Sequence, residues 1–578
     1  MSAIQQLITE HMDIWTAADT GKRSGRGRAS SNAVSVYGVK KLRELILGLA
    51  ISGKLLHQNK IDISTQEVAK KLSLNRKVLN EDLLTEFQLP NTWQWFCISD
   101  LCDLKTGATP STSVSAYYGG DIRWLVSGDI HGNEIYDCEG RITDSGLSNS
   151  NCKILPKNSI LIALNGQGKT RATVAMLRCE AACNQSLVAM ISKYNELILP
   201  EFIWLNLKYR YTEIRDITGQ NQRRGLNMGL IGDLSVSVPP LAEQHNIITK
   251  VDELMALCDQ LEAQHSNAAE AHEKLVSHLL GTLTQSQTAE DFSANWQRIT
   301  AHFDTLFTTE TSIDTLKQTL LQLAVMGKLV TQDPNDEPAS ELLKRIQAEK
   351  AKLVADGKIK KETPLASIGD DEKPFELPKR WEWARLELLA NLITKGSSPK
   401  WQGVNYTDNT NDVLFVTSEN VGSYSLLLDS PKFVETKFNE IEPRSILQKG
   451  DYLMNIVGAS IGRTATFDRD DVANINQAVC LIRIENQALS KSYLLHFFNS
   501  QTCLEYMFDK QVDNARPNLS MGNIAKFLIP IAPQAEQHRI VAKVDELMAL
   551  CDHLKTRIQQ ANQQQQAIAN ALVAQAVV

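Results

Sequence analysis

Four short stretches carry the residue types that touch phosphates and base edges. ALNGQGKT (163–170) ends in Lys169 and Thr170, with Arg171 directly behind. It falls one residue short of the phosphate-cradling pattern G-x-x-x-x-G-K-[ST], because Ala163 stands where the first glycine belongs. Far downstream, GASIGRT (458–464) presents Arg463 and Thr464 in a similar setting. Arginine near the lysine position is a swap that a nucleotide-hydrolysing loop does not readily tolerate. What the two loops share is a glycine-rich turn after an apolar strand, offering a cation and a hydroxyl. That suits a phosphate or base edge outside the protein better than a bound nucleotide. The other pair is Asn221-Gln222-Arg223-Arg224, just before Leu226, and Asp513-Asn514-Ala515-Arg516 with Asn518, just before Leu519. Arginine beside asparagine or glutamine is the equipment for guanine and adenine edges in a major groove. A solvated turn capping the next element explains any single one of these residues nearly as well. Equivalent placement of the two groups favours readout.

Covalent chemistry finds little support. No G-x-S-x-G, HExxH or protein-kinase signature occurs, and the one Pro-Pro, Pro239-Pro240, is followed by Leu241 rather than an aromatic residue. Asp370-Asp371-Glu372-Lys373 lies in a polar stretch without a strand to hold two carboxylates around a metal, so it reads as solvated. The ten cysteines include no C-x-x-C pair, which argues against a structural zinc site. The expectation is a chain with no catalytic residue, no metal and no cofactor of its own.

The elements that must position these stretches come in two copies. VDELMALCD occurs at 251–259 and again at 544–552, an offset of 293 (544 minus 251). PPLAEQHNIITK precedes the first copy and APQAEQHRIVAK the second. Asn184-Gln185 answers Asn476-Gln477, LPNTWQW (89–95) answers LPKRWEW (377–383), and Gly53-Lys54-Leu55 answers Gly327-Lys328-Leu329. The matches stay in order, so the chain is a duplicated multi-domain module. Similarity is concentrated in a shared frame, whereas 111–180 and 401–470 barely agree.

Apolar positions spaced by four and three follow each EQH: Ile247, Val251, Leu254, Cys258 and Leu261, then Ile540, Val544, Leu547, Cys551 and Leu554. These predict long helices with heptad seams, continuing through Leu275 and Ile568, that pack on each other as an antiparallel coiled coil. The competing possibility is that each stripe packs on its own globular domain. The expected fold is α+β: two mixed α/β domains separated by the long helices. The boundaries read as a helical N-terminal region with a basic loop (1–88), a first mixed α/β domain (89–240), a first long helix (241–285), a central helical region and linker (286–376), a second mixed α/β domain (377–533) and a second long helix (534–578). DTGKRSGRGRASSN (19–32) reads as a solvated loop ahead of a phosphate-contacting arm, and 333–376 as a polar linker with one charged helical run.

Composition is that of an ordinary globular protein, 43% hydrophobic and 22% charged, which excludes collagen-like or wholly disordered classes. The net charge of −7 advertises no global basic excess. The N-terminus lacks the pattern of a signal peptide and no run of 18 apolar residues occurs, so a cytoplasmic protein without a membrane span is expected.

A duplicated chain with P-x-x-EQ-x-x-I leading into a long heptad helix resembles the specificity subunits of type I restriction–modification enzymes. The W-x-W, L-x-x-G-x-x-P and N-Q elements of each copy fit that family as well. The resemblance implies two target-recognition domains that each read half of a bipartite double-stranded DNA site, with the helices setting the gap between halves. It implies methyltransferase subunits that hold the shared frame and methylate adenine with S-adenosylmethionine. It further implies a motor–nuclease restriction subunit that uses ATP and Mg, so that every cofactor sits on a partner. A coiled-coil scaffold that binds protein without reading DNA is the alternative from a different class.

Overall fold

The computed structural model describes residues 10–16, 36–57, 64–74, 87–131, 134–166, 170–217, 226–286, 288–359, 367–509 and 519–577. The chain divides into two compact units, Met1–Glu270 with Gln560–Val578, and Ala271–Gln559.

In the first unit, β1 (Gln94–Cys97) pairs antiparallel with β10 (Ser235–Val238) at the base of the recognition domain. Between them run β2 (Cys102–Thr106), β3 (Tyr118–Leu125), β4 (Glu134–Ile135), β5 (Arg141–Ile142), β6 (Ile160–Ala163), β7 (Val174–Leu177), β8 (Ala182–Cys183) and β9 (Leu187–Ser192). They form one sheet in the order β2-β9-β6-β7-β4 and a second in the order β5-β3-β8. Burial at every residue of β6 and β7 explains their continuous apolar runs, which lack the alternation of a half-exposed strand.

The second unit repeats this plan. β11 (Glu382–Arg385) pairs with β20 (Leu528–Ile531). The intervening strands are β12 (Leu392–Lys395), β13 (Tyr406–Thr407), β14 (Val413–Val416), β15 (Phe433–Val434), β16 (Asp451–Asn455), β17 (Thr464–Phe467), β18 (Ala473–Ile475) and β19 (Val479–Arg483). Their sheets are ordered β12-β19-β16-β17 and β13-β15-β14-β18. The parallel pair β3–β8 has its counterpart in β14–β18, and the antiparallel hairpin β6–β7 in β16–β17. The divergent middles therefore keep one topology. Their sequences differ because four-residue strands tolerate almost any apolar set that fills the same layer.

Each unit builds its helical part in the same way. The helix Tyr37–Ser52 stops at Gly53, and the helix Glu310–Val325 runs to Met326 with Gly327 following; both glycines are left-handed (φ 75° and 70°). A Cβ there would come within 2.5 Å of Pro90 and 2.6 Å of Pro378, so space as well as backbone angle requires glycine. The first long helix spans Leu241–Gln285 and the second Gln534–Val577.

In the first unit, Ile247, Val251, Leu254 and Cys258 are buried with Leu42, Leu45, Ile46 and Leu49 of the preceding helix and with Ala569. Leu261 is half-buried against the same core, as are Leu572 and Val573. In the second unit Ile540 and Val544 join the recognition-domain core. Cys551 is buried with Val276, Leu280, Leu283 and Leu316, and Leu547 and Leu554 are half-buried beside them. The start of each long helix thus packs on its own globular domain as well as on the end of the other long helix. Ion pairs fasten the sides: Arg43 to Asp259 and Glu262, and Lys555 to Asp314.

The heptad spacing does not continue to the ends. Leu275 is 50% and Ile568 46% exposed, whereas Val276 and Ala569 are buried. From Cys258 to Val276, and from Cys551 to Ala569, is 18 residues (276 minus 258, 569 minus 551). Eighteen residues are five turns of a straight α-helix at 3.6 residues per turn, so the buried stripe drifts off the 3.5-residue seam.

The stretch 333–376 is more than a linker. Ala339–Ala355 is a helix that buries Leu342, Leu343 and Ile346 in the second unit's core, and Lys350 Nζ donates to the Ala390 carbonyl at 2.8 Å. The 19–32 stretch lies outside the described residues. No helix among the described residues is long and apolar enough to cross a membrane.

Candidate nucleic-acid interface

The hydrogen-bond register gathers a set of loops at one end of each recognition domain. In the first domain Thr106 lies opposite Val188, Ala163 opposite Leu187, and Ile162 opposite Val174. The connections leaving Thr106, Ala163 and Cys183 therefore emerge together. Two devices repeated in the second domain hold this end in shape. Gly107 lies against the carbonyl of Cys183, where a Cβ would come within 1.6 Å of the oxygen, and Gly396 lies against Ile475 in the same way at 1.8 Å. Asn184 N–H donates to Leu125 O at 2.9 Å while its Oδ1 accepts from Ser186 N–H. Asn476 makes the matching pair of bonds to Val416 O and Ala478 N–H. Two of the motifs repeated in the sequence, the G-x-x-P glycine and the N-Q asparagine, are thus the turn fittings of one loop end.

A third repeated motif locks the domain to its helix. Glu243 Oε2 accepts from Trp93 Nε1 at 2.9 Å, and Glu536 Oε2 from Trp381 Nε1 at 3.1 Å. Burial raises the Glu536 carboxyl above its ordinary pKa, against the lowering pull of Trp381 and Arg539. Gln244 accepts from Leu199 N–H and donates to Leu197 O and Pro239 O; Gln537 accepts from Ser490 N–H and donates to Ala532 O. The EQ pair of the P-x-x-EQ motif is a buried bolt between the helix start and the recognition domain.

The sequence candidates fall on this loop end as follows. ALNGQGKT lies in the connection between antiparallel strands β6 and β7, so a strand follows it where a phosphate loop requires a helix start. Thr170 and Arg171 are both partly buried. Arg171 Nε and Nη2 are shielded from solvent and have no hydrogen-bond partner among the described residues, while its carbonyl accepts from Arg215 Nη1 at 3.2 Å. Unpartnered buried guanidinium nitrogens cost free energy until an acceptor meets them. Arg463 sits at the matching hairpin tip of the second domain, exposed, and pairs with no carboxylate among the described residues.

Thr464 requires a correction. It is fully buried at the start of β17, its hydroxyl donates to Gly462 O, and its carbonyl accepts from Asn499 and Tyr424. It faces the core and leaves the candidate set. Lys169, Asn221, Gln222, Arg223, Arg224, Asn514, Arg516 and Asn518 lie outside the described residues. The residue bordering the last group is placed: Leu519 N–H donates to Ile456 O, at the base of the Arg463 loop.

The second domain carries one further buried charge pair. Arg483 donates from Nε and Nη2 to both oxygens of Asp451 at 2.7 Å, tying β19 to β16. Among the described residues no group of three or more His, Cys, Asp or Glu is arranged to hold a metal ion.

Comparison with known proteins adds to this geometry. A family model described as the type I restriction modification DNA specificity domain matches the chain twice, at residues 90–271 and 378–563. The type I restriction enzyme EcoAI specificity subunit of Escherichia coli is 34% identical, with 100% of both chains covered. The EcoEI specificity subunit of the same species is 34% identical over 99% of each chain. A chain solved in work on the assembly of a type I R-M system aligns at a TM-score of 0.48 with 16% identity, covering 85% of this chain and 99% of that one.

Proposed function

The chain belongs to the type I restriction–modification specificity-subunit family, and on that premise we propose that it reads a bipartite DNA sequence, one half through the loop end of each recognition domain. It is the noncatalytic specificity component. It directs adenine methylation, or cleavage, by partner subunits.

The observation that carries the reading is the Arg171 guanidinium. Two of its nitrogens, at the loop end, have no acceptor among the described residues, and a phosphate or base-edge oxygen would supply one. Arg463 offers the same group at the corresponding hairpin tip of the other domain. The candidates outside the described residues, Lys169, Asn221 to Arg224, Asn514, Arg516 and Asn518, complete the proposed contact set. Between 89 and 240 there are 14 Lys and Arg against 14 Asp and Glu, and between 377 and 533 there are 16 against 17. Such near-neutral domains bind weakly by themselves, because most DNA affinity is electrostatic. Partner subunits supply the remainder.

The methyltransferase is the partner we assign to the shared helices. Lys250–Asp259 and Lys543–Asp552 are identical in sequence, and core packing accounts only for their buried positions. Leu257 and Leu550, in equivalent places, are 53% and 55% exposed beside the matching ion pairs Lys250–Glu253 and Lys543–Glu546. An apolar residue kept outward in both copies suits the same partner surface meeting each copy. S-adenosylmethionine, ATP and Mg belong on the methyltransferase and the restriction subunit, and the assembly works in the cytoplasm. Single-molecule methylation sequencing of a host expressing the methyltransferase with and without this chain tests the reading. A split adenine-methylated motif that depends on the chain is expected. Methylation unchanged by its removal, with the partner active, overturns the proposal and returns the scaffold alternative.

A further inference from the structure

All nine tryptophans of this chain lie among the described residues, and eight are buried or half-buried; Trp401 is 75% exposed. A tryptophan so placed forfeits the burial that its large apolar surface rewards elsewhere. Its backbone is held firmly. Trp401 lies in a 3-10 turn, Pro399–Gln402, between buried Pro399 and buried Val404, and Val404 N–H donates to Pro399 O at 2.9 Å. Gln402 Nε2 donates to Ser397 Oγ at 2.9 Å and to Glu442 Oε1 at 3.0 Å. Gly403 closes the turn in the left-handed conformation (φ 66°), and Gly396 opens it against Ile475 O. The ring is therefore presented outward from a braced turn.

The turn leaves β12 at Lys395, which pairs with Cys480 of β19. In the same sheet Asn455 of β16 lies opposite Val479, and Thr464 of β17 opposite Met454. The Trp401 turn and the Arg463 hairpin thus rise from the same end of the domain. Lys395 and Lys400, flanking Trp401, are exposed and pair with no carboxylate among the described residues. Glu442, the acid at the base of the turn, is engaged by Gln402 and lies 3.5 Å from Arg444. An exposed aromatic ring between two uncompensated cations is complementary to a nucleic acid, which offers apolar base surface between phosphates. The corresponding connection of the first domain, 107–117, exposes Ser111, Thr112, Ser113 and Ser115 with no exposed aromatic ring.

We propose that Trp401 is a specificity-determining residue of the second recognition domain, making apolar contact with bases of its half-site while Lys395 and Lys400 engage the flanking phosphates. This rests on the DNA-reading function proposed above and adds a contact mode: one half-site is read partly by an apolar ring and the other by hydroxyls and hydrogen bonds.

The test uses the full chain assembled with its methyltransferase. Methylation motifs and rates are measured for wild type, Trp401→Ala, Trp401→Phe and a chimera with residues 377–533 replaced, which identifies the half-site read by the second domain. Trp401→Ala is expected to slow methylation of the cognate site about ten-fold, or to relax base preference, in that half-site alone. Trp401→Phe should recover part of the loss, and thermal unfolding of Trp401→Ala should match wild type. Acrylamide quenching of the exposed tryptophan should fall when cognate DNA is added. An unchanged motif and rate in Trp401→Ala overturns the proposal. So does equal loss in both half-sites, or weakened assembly with the methyltransferase, which would mark the ring as a protein contact. Failure of the wild-type assembly to show any split motif overturns the underlying DNA-reading function instead.

Discussion

Replacing Gln244 by leucine should uncouple the first long helix from its recognition domain, at a cost that follows from the contacts. Gln244 is fully buried and makes three hydrogen bonds of 2.8–2.9 Å, accepting from Leu199 N–H and donating to Leu197 O and Pro239 O. Leucine keeps much of the volume and removes all three. Each bond contributes about 0.5–1.5 kcal/mol net, and a buried backbone donor left without a partner costs about 1–3 kcal/mol. One donor left bare and two bonds to carbonyls lost sum to roughly 2–6 kcal/mol. Gln537→Leu removes two such bonds in the second unit, so its cost is roughly 1.5–4.5 kcal/mol. Urea unfolding followed by fluorescence and circular dichroism should show the transition of one unit moving to lower denaturant in each variant, with the other unit's transition in place. A loss below about 1 kcal/mol in Gln244→Leu would refute the claim that the EQ pair bolts helix to domain.

Other consequences concern single buried groups. Asp451→Asn leaves Arg483, whose side chain is 15% exposed, without its anion, and should destabilise the second unit by about 3–5 kcal/mol in the same assay. Asp451→Asn with Arg483→Met should recover part of that. Gly396→Ala drives a methyl group into the Ile475 carbonyl and should cost about 3 kcal/mol, with Gly107→Ala its counterpart in the first unit. Burial depresses the Lys208 ammonium, which lies over the Trp204 ring, from 10.5 to about 8, against the opposing pull of Asp252 and Glu134. Between those values the unfolded chain binds a proton that the folded chain does not, so stability rises with pH there. Lys208→Met should remove that rise, read as the difference between variant and wild-type unfolding from pH 8 to 10.5.

The frame was legible because the chain prints it twice. The buried positions of VDELMALCD, the EQ pair and the glycine stops at Gly53 and Gly327 each serve a local contact, and repetition marks such residues without any alignment. The common topology of the two middles is not legible, since strands of four or five buried residues retain layer and register while their side chains change. The long helices show a limit of periodicity itself. Over two turns a 3.5- and a 3.6-residue repeat are indistinguishable, and only across 18 residues does the stripe pass from Leu275 to Val276. The burial of Thr464 is not legible, because a threonine opening a strand reads alike whether its hydroxyl faces solvent or a neighbouring carbonyl. Trp401 does not stand out in the sequence, because tryptophan reads as core by default. The available signal was its place in Pro-Lys-Trp-Gln-Gly, a turn too short to bury it.

The most direct test of the central claim, that each recognition domain reads its own half of a split target, is a domain exchange. Residues 89–240 would be replaced by the equivalent segment of the EcoAI relative, leaving both long helices intact, and the methylated motif sequenced in a host carrying the cognate methyltransferase. The account predicts a split motif in which one half changes and the other half, with the methylated adenine it contains, stays as in wild type. A motif altered in both halves, or in neither, would contradict it.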